Sequence, residues 1–193
     1  MKEVGPAGDE DAPDLEDSEY INRVVYDPEW FDDTGQLTPG AISITDLKKS
    51  GFSVNRDFVT QELVLRLIAD AQRRQPQARE EAKVSRFLTG AVRELEAIVP
   101  HKELKMGEEA KPERLFIAEK SPQPADDTVV PPFPANPAHA HVLCIHKGDG
   151  AIRKLRAELI PLLNNVVSVP QFFNIVGRAS DDQVEGQRPS PHR

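Results

Sequence analysis

The spacing of apolar positions along this chain changes several times, and each change marks an element. In YINRVVY, residues 20–26, Ile21, Val24 and Val25 form a run of strand formers that stops at the turn pair Asp27-Pro28. Turn chemistry follows at Asp33-Thr34-Gly35 and Thr38-Pro39-Gly40, with Ala41–Thr45 a short apolar stretch between turns. SGFSVNRDF is a further short extended segment. The period then lengthens: Leu63, Leu67 and Ala71, with Val64 and Ile68, recur at helical spacing. Thr60 is a plausible N-cap, Glu62 suits the first turn, and Arg73 and Arg74 complement the C-terminal dipole before Pro76.

Residues 79–99 admit two readings. Val84, Phe87, Leu88, Val92, Leu95 and Ile98 fit one face of a single helix. Alternatively Lys83–Leu88 is a strand, Thr89 a cap and Ala91–Val99 a short helix before Pro100. Gly90 in mid-helix costs about 1 kcal/mol relative to alanine, which favours strand then helix. A polar loop from His101 precedes ERLFIAEK, a predicted strand. The stretch 121–137 carries six prolines (Pro122, Pro124, Pro131, Pro132, Pro134 and Pro137), which predicts extended or polyproline-like chain. Residues 139–146 read as a strand. AIRKLRAELIPLLNN reads as a helix with Ile152, Leu155 and Leu159 on one face, kinked or shortened by Pro161. VVSV and QFFNIV supply a last strand or packed segment. Strands and helices mix without sustained β-α alternation, so the fold class expected is α+β, with a mixed or mainly antiparallel sheet and two to three helices in one domain over residues 20–176.

Composition sharpens the boundaries. Apolar residues make up 38% of the 193, and mean hydropathy is −0.49, low values whose deficit lies at the ends. Residues 1–19 hold eight carboxylates against Lys2, most of the formal net charge of −8, and with residues 177–193 they are expected to be disordered tails. The body is therefore nearly neutral, which argues against nucleic acid as a partner. Arg66, Arg73, Arg74 and Arg79 read as a solvated helix face. The single cysteine excludes an internal disulfide and fits a reducing compartment. No apolar run approaches the roughly 18 residues of a membrane span, and MKEVGPAGDEDAP lacks the apolar core of a signal peptide. The expected location is cytoplasmic.

NPAHAHVLCIH, residues 136–146, concentrates three histidines and Cys144. In a strand, Ala138, Ala140, Val142, Cys144 and His146 share one row, and His139, His141, Leu143 and Ile145 the other. His139 and His141 thus point the same way, a spacing that suits two ring nitrogens on Zn²⁺. Further ligands would have to come from His101, Glu103, Glu119, Asp126 or Asp127, none of them in a motif, so no metal and no cofactor is expected. Cys144, flanked by Leu143 and Ile145, reads as an inert buried thiol. HKGDGAIRK matches neither phosphate-loop pattern. In GFSVNRD, Ser53 and Asn55 alternate to one side and Arg56 ends the segment, as a phosphate clamp or as half of a structural ion pair. Trp30 is a packing anchor or a stacking surface for a ligand.

DPEWFDDTG, AISI, SVNR and PAHAHV, in this order, resemble features of a loose group of small bacterial proteins with no assigned activity. The resemblance spans roughly residues 24–145. It implies that Trp30, Ser53, Arg56, His139 and His141 lie near one another, and it transfers no catalytic role. This chain departs from the group by its acidic tail and its proline-rich insert. With no nucleophile-base pair, metal quartet or phosphate cradle in sight, the function expected is a non-enzymatic interaction or accessory protein with a protein partner. The alternative is a small enzyme or nucleotide-binding protein in which Arg56 holds phosphate and His139 or His141 acts as acid/base.

Overall fold

Six strands form the central sheet of the computed structural model: β1 (Tyr20–Pro28), β2 (Phe52–Arg56), β3 (Arg79–Leu88), β6 (Phe116–Lys120), β7 (His139–Cys144) and β8 (Val166–Ser168). Their order is β6-β7-β2-β1-β3-β8, every neighbouring pair antiparallel. A small ladder pairs β4 (Glu96–Ala97) with β5 (Glu113–Arg114). The helices are α1 (Glu62–Arg73), α2 (Thr89–Arg93) and α3 (Asp149–Leu163), with residues 169–176 also helical. The fold is α+β. The structure describes residues 14–57, 62–73, 79–99, 104–146 and 148–176. Among them no helix is long and apolar enough to cross a membrane.

The strand period of two divides the apolar residues between the sheet's two faces. Ile21 and Val25, Phe52 and Val54, Ala140, Val142 and Cys144 look toward α3, where Ile152, Leu155 and Leu159 complete the main core. Val24, Tyr26 and Val84 look the other way, toward Leu65 and Ala69 of α1 and Phe172 of the last helix. The Tyr26 hydroxyl donates to the Ile68 carbonyl at 3.2 Å and ties α1 to β1.

Several expectations are corrected. Residues 14–19, placed in a disordered tail, belong to the packed body: Leu15 is buried in the main core, and Glu19 carries a buried ion pair with Arg56. The amides of Gly90 and Thr89 donate to Asp17 and Glu19 carbonyls, each at 2.9 Å. A Cβ on Gly90 would lie 2.9 Å from the Asp17 oxygen, so close approach of two backbones explains the glycine there. Residues 1–13 and 177–193, expected to be disordered, lie outside the described residues, as do Thr60, Arg74, His101 and Glu103.

Between Lys83 and Val99 the strand-then-helix reading holds, but α2 ends at Arg93 and the chain returns as β4. Pro161 does not end α3, which runs on to Leu163; without an N–H, Pro161 cannot donate to the Ala157 carbonyl, so the last turn lacks that bond. The proline-rich stretch is not a polyproline strut. It folds back as an irregular hairpin in which Gln123 pairs with Asn136 and Asp126 with Phe133. All four pairing residues are non-prolines, the positions that still own an N–H.

Candidate functional site

Strands β1 and β2 are paired only at Ile21–Arg56 and Asn22–Asn55. Beyond that point β1 continues against β3 alone, while β2 continues against β7. Arg23 occupies the opening. Its Nη1 donates to the Ser53 carbonyl at 2.6 Å, and its guanidinium lies 3.9 Å from the centre of the Phe52 ring and 5.7 Å from that of Trp30. A cavity of about 260 Å³ results, and its wall includes Arg23, Trp30, Ser53, Asn55, Gln123 and His139. Trp30 meets Tyr26 edge to face at 5.1 Å, so the aromatic wall is braced from β1.

His139 is held at both nitrogens. A carbonyl only accepts, so Nδ1 carries the hydrogen donated to Ser121 O at 2.6 Å, and the bare Nε2 faces the Gln123 amide nitrogen at 3.3 Å. Burial lowers its pKa, the Ser121 carbonyl opposes that, and His141 adds to it. The ring is accordingly a neutral, fixed part of the wall. His141 pairs across the ladder with Ser53 and donates to Glu119 at 3.0 Å. The two imidazoles stand 6.5 Å apart, nearly perpendicular. Cys144 is fully buried.

Arg56 lies elsewhere. It alternates with Ser53 and Asn55 along β2, so it projects to the opposite face, where Nε and Nη2 bind both oxygens of Glu19 at 2.7 and 2.9 Å. Next to it Asp57 accepts from Asn22 at 2.8 Å and from Arg86. Burial pushes the Asp57 carboxyl up, while the hydrogen bonds from Arg86 and Asn22 pull it down. In this polar seam the Arg56–Glu19 pair fastens the N-terminal segment to the sheet, while Asp57 links β1 to β3 at the end of β2.

The 260 Å³ cavity shares Gln123 and Phe133 with a larger, mostly apolar groove of about 760 Å³ between α1 and the 121–136 hairpin. Leu67 and Ala71 form one side and Val129, Val130 and Pro131 the other. Of the helically spaced residues on α1, Val64 is buried, whereas Leu63 is 61% exposed, and the inward stripe is carried by Leu65 and Ala69. Helix α1 is thus apolar on two sides.

The structure brings Trp30, Ser53 and His139 to one cavity, sets His141 beside it and puts Arg56 behind the sheet. Arg23, Gln123 and the α1 groove were missed by sequence reasoning. For Arg23 the signal was present: it shares a row with Ile21 and Val25, and a charge in an otherwise inward row is an anomaly. Among the described residues, no group of three or more His, Cys, Asp or Glu is placed to hold a metal ion. Asp126 accepts from the Thr128 amide within the hairpin, and Glu119 is engaged with His141. No family model, no curated protein and no solved structure matches the chain.

Proposed function

We propose that this is a non-enzymatic interaction protein that receives an extended apolar segment of a protein partner in the groove between α1 and the 121–136 hairpin. The observation that carries this reading is the second apolar stripe of α1. Leu63, Leu67 and Ala71 stand one turn apart, spanning about 12 Å of helix at 1.5 Å per residue, and Leu67 and Ala71 face the hairpin's Val129 and Val130 across open space. Apolar surface of this kind marks interaction sites. The polar groups nearby also favour binding over chemistry. His139 has both nitrogens engaged, Arg56 is closed onto Glu19 and Cys144 is inside the core. The single cysteine suits encounter with the partner in the cytoplasm.

The test is a selection with the full chain against random peptides displayed both as internal segments and at free C-termini. Enriched sequences should be rich in apolar residues and should bind the purified chain. Leu67→Glu should abolish that binding, while Lys154→Glu, exposed on α3 across the sheet, should leave it intact. No enrichment in either format, or binding indifferent to Leu67→Glu, overturns the reading.

A further inference from the structure

Residues 14–18 lie on the protein as a peptide lies in a receptor. They run into β1 through Glu19 but are outside every strand, and they are held by one apolar side chain and by polar groups from other elements. Leu15 is buried in the main core. Arg93 of α2 donates from Nη1 to the Leu15 carbonyl at 3.0 Å and to the Asp17 carboxylate at 2.6 Å, and from Nη2 to the Ala118 carbonyl of β6 at 2.8 Å. The Gly90 amide donates to the Asp17 carbonyl at 2.9 Å, an approach that a Cβ there would block. Lys120 of β6 lies 3.5 Å from Asp14. The carbonyls of Leu15 and Asp17 are thus received whatever side chains accompany them, while the leucine and the carboxylates make the seat selective.

The charges of segment and seat are complementary. Asp14, Glu16 and Asp17 are acidic, and the cations that meet them come from two other elements, α2 and β6. Asp14 and Asp17 are mostly exposed, so their ion pairs add little holding energy and serve the choice of partner instead. Of residues 14–18 only Leu15 is buried. A segment near a chain end with a single apolar anchor opens locally at less cost than the sheet beneath it. We infer that the Leu15 pocket, with Arg93 and Lys120 beside it, is a docking site for an acidic segment of another protein carrying Leu-x-Asp or Leu-x-Glu. The chain's own residues 14–18 are its resident occupant and are displaced when the partner binds. The site shares no residue with the α1 groove, and neither proposal depends on the other.

The probe is a fluorescein-labelled peptide of residues 10–18, EDAPDLEDS, added to the full chain and followed by anisotropy. In the wild type the resident segment competes at an effective concentration on the order of millimolar, so binding should be weak. Leu15→Ala in the protein loosens that segment, and the unaltered peptide should then bind at least about tenfold tighter, within reach of the loss of a buried leucine. The peptide carrying Leu15→Ala should bind neither protein, and Leu67→Glu in the groove should change nothing. Should the Leu15→Ala protein fail to fold, hydrogen exchange on the wild type decides: the Gly90 amide should exchange at least about tenfold faster than the amides of the β1–β3 ladder. Protection of Gly90 equal to that of the ladder means that the segment opens only with the whole fold, and overturns the inference. Equal binding to both proteins, or binding indifferent to the peptide's leucine, overturns it as attraction between charges alone. A wild-type dimer that the peptide dissociates overturns the outside partner in favour of a second copy of this chain.

Discussion

Two arginines on adjacent strands, Arg23 and Arg56, occupy opposite situations. Arg56 is closed onto a carboxylate in bidentate geometry with 3% of its side chain exposed, inside a seam that also contains Asn22, Asp57 and Arg86. Arg23 is seated by a main-chain carbonyl and the face of Phe52, at the wall of a cavity. The Arg56–Glu19 pair joins the 14–19 segment to the sheet, whereas the cavity interrupts the β1–β2 ladder and costs the sheet part of its pairing. The same side-chain type closes onto a carboxylate in one place and packs on an aromatic face at a cavity wall in the other.

That contrast is open to test, beginning with the largest effect. Arg56→Ala leaves the Glu19 carboxylate buried without its counter-ion and should cost about 3–5 kcal/mol in urea unfolding, and replacing both partners with apolar residues should recover most of the loss. Equal stability of Arg56→Ala and the wild type would make the seam dispensable. On α1, Leu65 is fully buried, so Leu65→Ala should cost about 2–5 kcal/mol. Arg23→Gln removes the hydrogen bond to Ser53 and the guanidinium contacts with Phe52 and Trp30, and should cost at least about 1–2 kcal/mol in thermal unfolding. Leu67→Ala should change stability by about 1 kcal/mol or less, because Leu67 faces the groove; a loss comparable to that of Leu65→Ala would place it in the core instead.

The pH dependence of stability sharpens the same comparison. Burial lowers the pKa of folded His139 below the ordinary histidine value, so below about pH 6.5 the unfolded chain takes up a proton that the folded ring resists. Stability from this group is full above pH 6.5 and is lost as pH falls toward the lowered folded value. The melting temperature should therefore decline from pH 7 to 5, and the decline should be shallower in His139→Gln, whose side-chain amide still has an N–H to offer the Ser121 carbonyl. An unchanged slope in that variant would show that His139 does not hold the neutral state inferred from its two contacts.

Much of the fold was legible because it depends on local period. The alternation in Ile21–Val25 and in Ala138–Cys144, the helical spacing after Glu62 and the Gly90 break all follow from one-dimensional pattern. Tertiary partners decided the remainder. Glu19 reads as one more acid in a charged tail until Arg56 is found opposite it. The six prolines suggest a strut until the four residues able to pair across the hairpin are seen to do so. Leu63, Leu67 and Ala71 satisfy helical spacing as well as an inward stripe does, and spacing alone does not say which of two apolar sides meets the sheet.

For the candidate site the division is similar. The sequence by itself determined that His139 and His141 share a face of their strand and that Ser53 and Asn55 share a face of theirs, because strand geometry admits no other arrangement. Only the tertiary structure decided that β1 and β2 part after Asn22 and Asn55, that Arg23 fills the gap, and that Arg56 is closed onto Glu19 on the opposite face. The physical reason is that alternation assigns a side chain to a face of its strand, while the identity of what lies across that face depends on contacts between residues far apart in the chain.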